Sequence, residues 1–344
     1  MNNVFYFKSI GSVGGCESFF YYLSRCHKNL VIYYREGNPE QIKRLAKNVE
    51  VRKYNEEIIE CNNFFCCYYP DIIENVKANH YYHIIHCDYK NVWFPPITNP
   101  KFEKYIAVSK VAGESFKELT GIDYELIYNP IKIDIPKVEK YNDGKLHLVS
   151  ATRLTREKGL KRMQQLATLL EKNNIDYEWI VYTNRIRESV GNNVIYKEPT
   201  LDILPEIAKA DYLVQLSDCE AFCYSIVESL MVGTPVICTD LPVSKEIGVK
   251  NGINGVICDF DMKNIDLNLI KKGMKFDYTP PLSTWDKYLS GDSNYNPKDL
   301  VKIRTKRGFT LIDEGIRTIR GQELDITKER ASYLESKGLI ERCN

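Results

Sequence analysis

The sequence predicts an α/β protein made of two Rossmann-like, doubly wound parallel-sheet domains with a small C-terminal α+β appendage. Three observations carry this. Apolar runs of strand length alternate with amphipathic, helix-length segments through most of the chain, the pattern of parallel strands joined by crossover helices. The alternation pauses at a polar linker, Pro136–Lys145, and restarts at Leu146. A chain of 344 residues is also too long for one small core and suits two domains of ordinary size. The expected units are an N-terminal domain at 1–135, a second domain at 136–290 and a β-rich appendage at 298–344.

Composition excludes more than it identifies. With 44% hydrophobic and 27% charged residues and a net charge of +1, the chain has no electrostatic bias towards nucleic acid or anionic lipid. No apolar run approaches ~18 residues, and the opening MNNVFYFKSI lacks the regions of a signal peptide. A cytoplasmic location is expected, with peripheral association at the inner membrane face left open. The eleven cysteines are odd in number, scattered and without a C-x2-C pair. Most sit in apolar runs such as FFCCYY, where a reduced thiol acts as a small hydrophobe.

In the N-terminal half, strand Val4–Ile10 meets the loop Gly11-Ser12-Val13-Gly14-Gly15 and a helix from Cys16 to Cys26. A strand, glycine loop and helix allow close backbone approach to a phosphate or sugar, although many such loops only turn the chain. Strands follow at Leu30–Tyr34, Val49–Lys53, Phe64–Tyr69 and Tyr81–Ile85, with helices near Pro39–Lys47 and Asp71–Lys77. His80, His83 and His86 do not make a metal site, because alternation along a strand turns His83 away from the other two. His86-Cys87-Asp88 stands at a strand end, where open α/β sheets bind ligands. Strand Tyr105–Ser109 leads to a helix capped by Ser109 and stopped near Thr120-Gly121, and Ile127–Ile131 leaves the domain.

Two stretches of the second half carry chemistry. After strand Leu146–Ala151, the loop Thr152–Gly159 places Arg153 and Lys158 before a helix at Leu160–Lys172. The fork of an arginine and the point charge of a lysine suit a diphosphate, whereas isolated cations in such a spacing are usually just solvated; Arg156 is expected to face solvent. Strands at Glu178–Thr183 and Asn193–Tyr196 and a helix near Ile203–Ala208 continue the pattern to Asp211. Strand Tyr212–Leu216 then meets a polar turn with Glu220, and a helix from Tyr224 bears Glu228. Each carboxylate accepts hydrogen bonds from a vicinal diol, and free N–H groups at the helix start favour an anion. Diol, diphosphate and diol together describe a nucleotide sugar.

The E-x7-E spacing of Glu220 and Glu228, followed by Ser229-Leu-Met-x-Gly-Thr-Pro-Val236 and by Glu246-Ile-x4-Gly-x-Asn-Gly255, resembles the retaining glycosyltransferases of family 4. Further matches are Gly14-Gly15-Cys16-Glu17 to the family's G-G-x-E, His86-Cys87-Asp88 to H-x-D, and Arg153-Leu-x3-Lys158-Gly159 to R-L-x-x-x-K-G. The resemblance covers residues 1 to about 290 and implies the GT-B fold, two Rossmann-like domains facing a cleft. It also implies sugar transfer from a nucleotide diphosphate sugar, a UDP-sugar first, with retention of configuration. Glu220, His86, Arg153 and Lys158 would be catalytic. The donor would be held by Arg153, Lys158, Glu220, Phe222, Cys223, Tyr224, Ser225 and Glu228, with Gly14 and Gly15 beside it. Glu228 would take the ribose and Glu220 the transferred hexose or N-acetylhexosamine. Where the family has roughly E-G-F-G, this chain has Glu220-Ala-Phe-Cys223, whose added Cβ atoms narrow the sugar pocket.

Asp259-Phe260-Asp261 is a literal D-x-D, read here as a loop; no metal and no other cofactor is expected. The stretch after Met262, with Pro280-Pro281 and a helix start at Thr284-Trp285-Asp286, is expected to cross back to the first domain. In the appendage, strands are expected at Val301–Lys306, Gly308–Ile312 and Ile316–Ile319 and a capped helix at Thr327–Lys337. Its basic run Lys298–Arg307 is expected to be a solvated face, with binding of a partner, an acceptor, nucleic acid or another copy as the alternatives. The acceptor is expected to be a glycan, lipid-linked or polymer hydroxyl of cell-surface synthesis. Two rivals remain: a non-hydrolysing sugar-nucleotide epimerase, and an inactive GT-B scaffold that binds carbohydrate or nucleic acid.

Overall fold

The computed structural model describes residues 3–289 except 187, 264 and 271–273, and segments of 300–343. The first sheet has seven strands, all parallel, in the spatial order Glu50–Lys53, Val31–Tyr34, Asn3–Phe7, Ile59–Cys67, Val76–Ile85, Lys104–Ala107 and Glu125–Leu126. The second has six, also parallel: Val194–Lys197, Tyr177–Tyr182, Leu146–Ala151, Tyr212–Gln215, Val236–Thr239 and Gly255–Cys258. Each sheet therefore grows outward from its first strand, and then in the opposite direction. The reversal leaves a crevice at the carboxyl end of that strand, where doubly wound sheets bind ligands. The glycine loop opens from the first crevice and the Thr152–Gly159 loop from the second.

The helices of the two domains, among the described residues, are α1 (Gly15–Cys26), α2 (Pro39–Ala46), α3 (Lys110–Thr120), α4 (Leu160–Lys172), α5 (Leu204–Lys209), α6 (Tyr224–Met231), α7 (Pro242–Glu246) and α8 (Asp286–Leu289). Their ends follow local chemistry. Asn38 Oδ1 accepts the N–H groups of Glu40 and Gln41 ahead of Pro39, and Ser109 Oγ accepts that of Ala112 as expected, each satisfying donors that a helix start leaves free. Gly121 closes α3 in the left-handed region, φ +72, where a residue without Cβ has no penalty.

The first core is aromatic. Phe5 stacks on Phe65 at 4.4 Å and meets Phe19 and Phe20 of α1. In the second core Trp179 is fully buried, and its Nε1 donates to Ser150 Oγ at 3.0 Å, so its one polar atom is satisfied. The tail does cross back. Trp285, 0% exposed, inserts among Phe5, Phe19 and Phe65 of the first domain, and Lys287 and Tyr288 both reach Glu125. Glu246 of α7 accepts the N–H groups of Lys110 and Val111 at the start of α3, placing a carboxylate from one domain on the positive end of a helix in the other.

Several sequence expectations need correction. The helix expected at Asp71–Lys77 is a single 3-10 turn, Ile73–Asn75, because strand pairing already claims Val76 opposite Ile59. Helix α7 and strand Gly255–Cys258 are additions to the elements expected from the sequence. Parallel pairing with Val236–Thr239 makes the latter an edge strand. In the appendage, Leu300–Thr305 lies between Glu323–Thr327 and Ile340–Arg342 in an antiparallel sheet, so Thr327 ends a strand rather than starting a helix. A hairpin pairs Thr310–Leu311 with Ile316–Arg317. The expected helix start at 328–330 and the ends of the basic run, 298 and 307, lie outside the described residues.

Gly159 sets the path of the second crevice loop. Its φ is +82, and a Cβ there would sit 1.8 Å from the Leu216 carbonyl oxygen. Gly159→Ala is therefore expected to cost about 2 kcal/mol or more, read as a lowered urea midpoint. An unchanged midpoint would show that this approach is not tight.

Candidate functional site: the cleft between the sheets

The two crevices open into one cavity of about 830 Å³. The glycine loop, Tyr22 and His86 line it from the first domain, and Arg153, Lys158, Glu220–Ser225 and Glu228 from the second. The residues expected to be catalytic or to bind the donor thus line one cavity.

Glu220 is the hub of the second-domain wall. Its Oε1 receives Lys158 Nζ at 2.7 Å, Ser217 Oγ at 2.7 Å and Gln215 Nε2 at 3.2 Å. Gln215 Oε1 in turn accepts from Ser225 Oγ at 3.3 Å, tying the strand end, the turn and the start of α6 together. Lys158 is mostly covered; burial works against its charge, but attraction to Glu220 prevails and raises its pKa. The ammonium is held charged at the open end of the sheet. Arg153 stands at the mouth with its side chain 62% exposed and 3.5 Å from Glu157, and Arg156 is exposed.

Cys223, in the place of a family glycine, caps α6 with φ +64. The left-handed backbone that a glycine would adopt freely is kept by a cysteine at a strain of roughly 1–2 kcal/mol. Phe222 and Tyr224 flank it, edge to face at 5.1 Å. The first N–H groups of α6 have no partner within the helix and start beside the cavity.

In the glycine loop, Glu17 folds back so that its Oε1 accepts the Gly11 N–H at 2.6 Å. A Cβ at Gly14 would lie 2.4 Å from Glu17 Oε2, while Gly15 has open space. The G-G-x-E stretch is a self-bracing turn, which explains Gly14 but not Gly15.

His86 leans edge-on against Phe19 at 4.8 Å, stacks near Tyr68, and has Nε2 3.4 Å from Cys67 Sγ. Burial, with His83 nearby, lowers its pKa to about 3. His83, buried beneath it, is lowered to about 4 by burial despite its hydrogen bond to the Tyr68 carbonyl. Both imidazoles are neutral at physiological pH, so His86 offers hydrogen bonds rather than charge. Tyr68 itself holds a left-handed backbone, φ +61.

Sequence reasoning missed four groups. Tyr22 donates to Glu228 Oε1 at 2.7 Å. Gln215 and Ser217 brace Glu220. Asn129, only 3% exposed, lines the cavity with an Oδ1 that has no protein partner, which a ligand donor would satisfy. Only Asn129 left a trace, in the Ile127–Ile131 stretch that leads out of the first domain. Glu228 is buried, which raises its pKa against the opposing pull of Tyr22 and Arg44. Among the described residues no cluster of three or more His, Cys, Asp or Glu has the geometry to hold a metal, and no helix is long and apolar enough to cross a membrane. The Asp259–Asp261 loop is not among the residues lining this cavity.

Comparison with known proteins bears on this geometry. Residues 131–269 match the model of the family described as Glycosyl transferases group 1, a span that contains Arg153, Lys158, Glu220 and Glu228. No curated protein matches the sequence. Among solved structures, the chain resembles Anabaena HepE in complex with UDP and glucose, with a TM-score of 0.62 and 15% identity over 78% of this chain and 89% of that one. A glycosyltransferase from Rickettsia africae gives 0.57 and 14% over 79% and 90%. The lipopolysaccharide outer core galactosyltransferase WaaB gives 0.51 and 15% over 86% and 92%. At such identities the likeness is one of fold, and that fold is GT-B. The match to the glycosyl transferases of group 1 falls within the second domain and its approach, residues 131–269.

The two neutral histidines make stability depend on pH. Below their ordinary pKa of about 6.5 the unfolded chain binds protons that the folded chain refuses, so this contribution is complete above that pH and is lost as pH falls towards 4. The unfolding free energy from urea titration is expected to drop between pH 6.5 and 4.5, by up to about 1.4 kcal/mol per pH unit for each imidazole. His83→Asn and His86→Asn should each make the decline shallower; an unaltered slope in both variants would refute the assignment.

Proposed function

We propose that the protein transfers a sugar from a nucleotide diphosphate sugar, a UDP-sugar, to a hydroxyl acceptor, with retention of anomeric configuration and without a metal. One observation carries this: the Lys158–Glu220 pair, braced by Ser217 and Gln215, faces the glycine loop across the cleft. In the free protein the two charges neutralise each other. A donor would separate their duties, its diphosphate taking Lys158 and its sugar hydroxyls taking Glu220. Hydrogen bonds from a charged group to either part are stronger than neutral ones.

Charge builds on the diphosphate as the glycosidic bond breaks. Lys158, Arg153 at the mouth and the first N–H groups of α6 are placed to offset it. Glu228 supplies acceptor oxygens for the ribose diol, and neutral His86 a hydrogen bond to the transferred sugar. The leaving phosphate would take the acceptor's proton, which accords with a cleft whose one histidine is held neutral. The binding of UDP and glucose by HepE supports a UDP-hexose as donor. The Cβ atoms of Ala221 and Cys223 favour a compact hexosyl or N-acetylhexosaminyl group. A glycan, lipid-linked or polymer acceptor of cell-surface synthesis fits the first-domain side of the cavity, and cytoplasmic supply of the donor would suit it.

The test is a thermal-shift and hydrolysis panel of UDP-, GDP- and ADP-sugars on wild type, Lys158→Ala and Glu228→Ala. One donor should raise the melting temperature of the wild type and slowly release nucleotide, with both effects reduced at least tenfold in the variants. Absence of any nucleotide response in the wild type would overturn the reading.

A further inference from the structure

Tyr22 belongs to none of the motifs, yet it is the first-domain residue that touches an acidic side chain of the E-x7-E pair. We propose that Tyr22 is a positioning residue of the donor site: from the first domain it fixes the Glu228 carboxylate towards the ribose hydroxyls, so that nucleotide recognition draws on both domains. The proposal rests on the reading of Glu228 as the ribose ligand.

The geometry leaves the phenol little freedom. Tyr22 sits on α1, its hydroxyl 2.7 Å from Glu228 Oε1. Its ring stacks on Tyr224 with centroids 5.4 Å apart and planes at 27°. Tyr224 lies one turn before Glu228 on α6 and is itself tied down, its hydroxyl donating to the Pro130 carbonyl at 3.0 Å. The donor atom, the ring behind it and the acceptor's helix thus form one rigid unit across the domain boundary. Tyr22, Arg44, Tyr224 and Glu228 all line the same cavity.

Capacity remains for a diol. A carboxylate has about four acceptor positions, and the Tyr22 hydrogen bond takes one. The charged and titratable groups that face Glu228 are Tyr22 from α1, Arg44 from α2 and Tyr224 from α6. Burial favours the neutral acid, whereas the phenol and Arg44 favour the anion. Without the phenol, the carboxyl would protonate at a higher pH and lose acceptor positions that a diol needs. Nucleotide affinity would then fall as pH decreases, in a range where the wild type still binds.

The experiment is calorimetric titration with UDP, GDP and ADP from pH 8 to pH 6, using wild type, Tyr22→Phe, Glu228→Gln and the double variant. Tyr22→Phe retains the ring stacked on Tyr224, and its melting temperature checks the fold. The wild type is expected to bind one nucleotide with little pH dependence. Tyr22→Phe should bind it about threefold more weakly at pH 8 and tenfold or more weakly at pH 6. In the Glu228→Gln background, which cannot titrate, Tyr22→Phe should add less than about twofold and no pH dependence. Affinity and pH profile unchanged in Tyr22→Phe, or tighter binding, would overturn the proposal and leave the donor reading standing. A wild type that binds none of the three nucleotides would overturn both.

Discussion

The close contact between Gly159 and the end of strand Tyr212–Gln215 governs the chemistry of the second domain. A loop that carried any side chain at that position would be pushed off the Leu216 carbonyl, and Lys158 would move with it. With glycine there, the lysine drops into reach of Glu220, which follows the neighbouring strand in the sheet. The charge pair is therefore a consequence of backbone packing at the switch point. The side chains of Gln215 and Ser217 then add direction, fixing one carboxylate oxygen by three donors and leaving the other side of the group for a ligand.

The glycine loop of the first domain answers the same geometric problem differently. There the closeness is between the loop and a carboxylate of its own helix, since Glu17 occupies the space that Cβ atoms at Gly11 and Gly14 would fill. Both loops spend side-chain volume to bring backbone to the cleft. The two domains also share groups across the boundary: Glu246 caps α3, and Tyr22 meets Glu228. The cleft is assembled jointly by both sheets.

Most of this was legible in the sequence because buried parallel strands leave unmistakable apolar runs, and because α3 starts and stops at recognisable residues, Ser109 and Gly121. The polar residues that sit in motifs, Lys158, Glu220, Glu228 and His86, line one cavity. What escaped was of two kinds. Tyr22, Gln215 and Ser217 act through contacts between distant segments, and a tyrosine in an apolar helix gives no sign of its partner. The strand Gly255–Cys258 and helix α7 span only four and five residues, too short to show a period. The Asp71–Lys77 segment failed in the opposite direction, its helical pattern overridden by the pairing of Val76.

Trp285 has a mechanical consequence. Because the chain leaves the second domain and buries this indole in the first, the two halves are joined by two covalent crossings, at the Pro136 linker and ahead of α8. Two such tethers define a single axis, like the pins of a door. Any sliding of one sheet past the other would have to draw Trp285 out from among Phe5, Phe19 and Phe65. The Tyr22–Glu228 hydrogen bond and the Tyr22–Tyr224 stack cross the same boundary and hold the two halves together there.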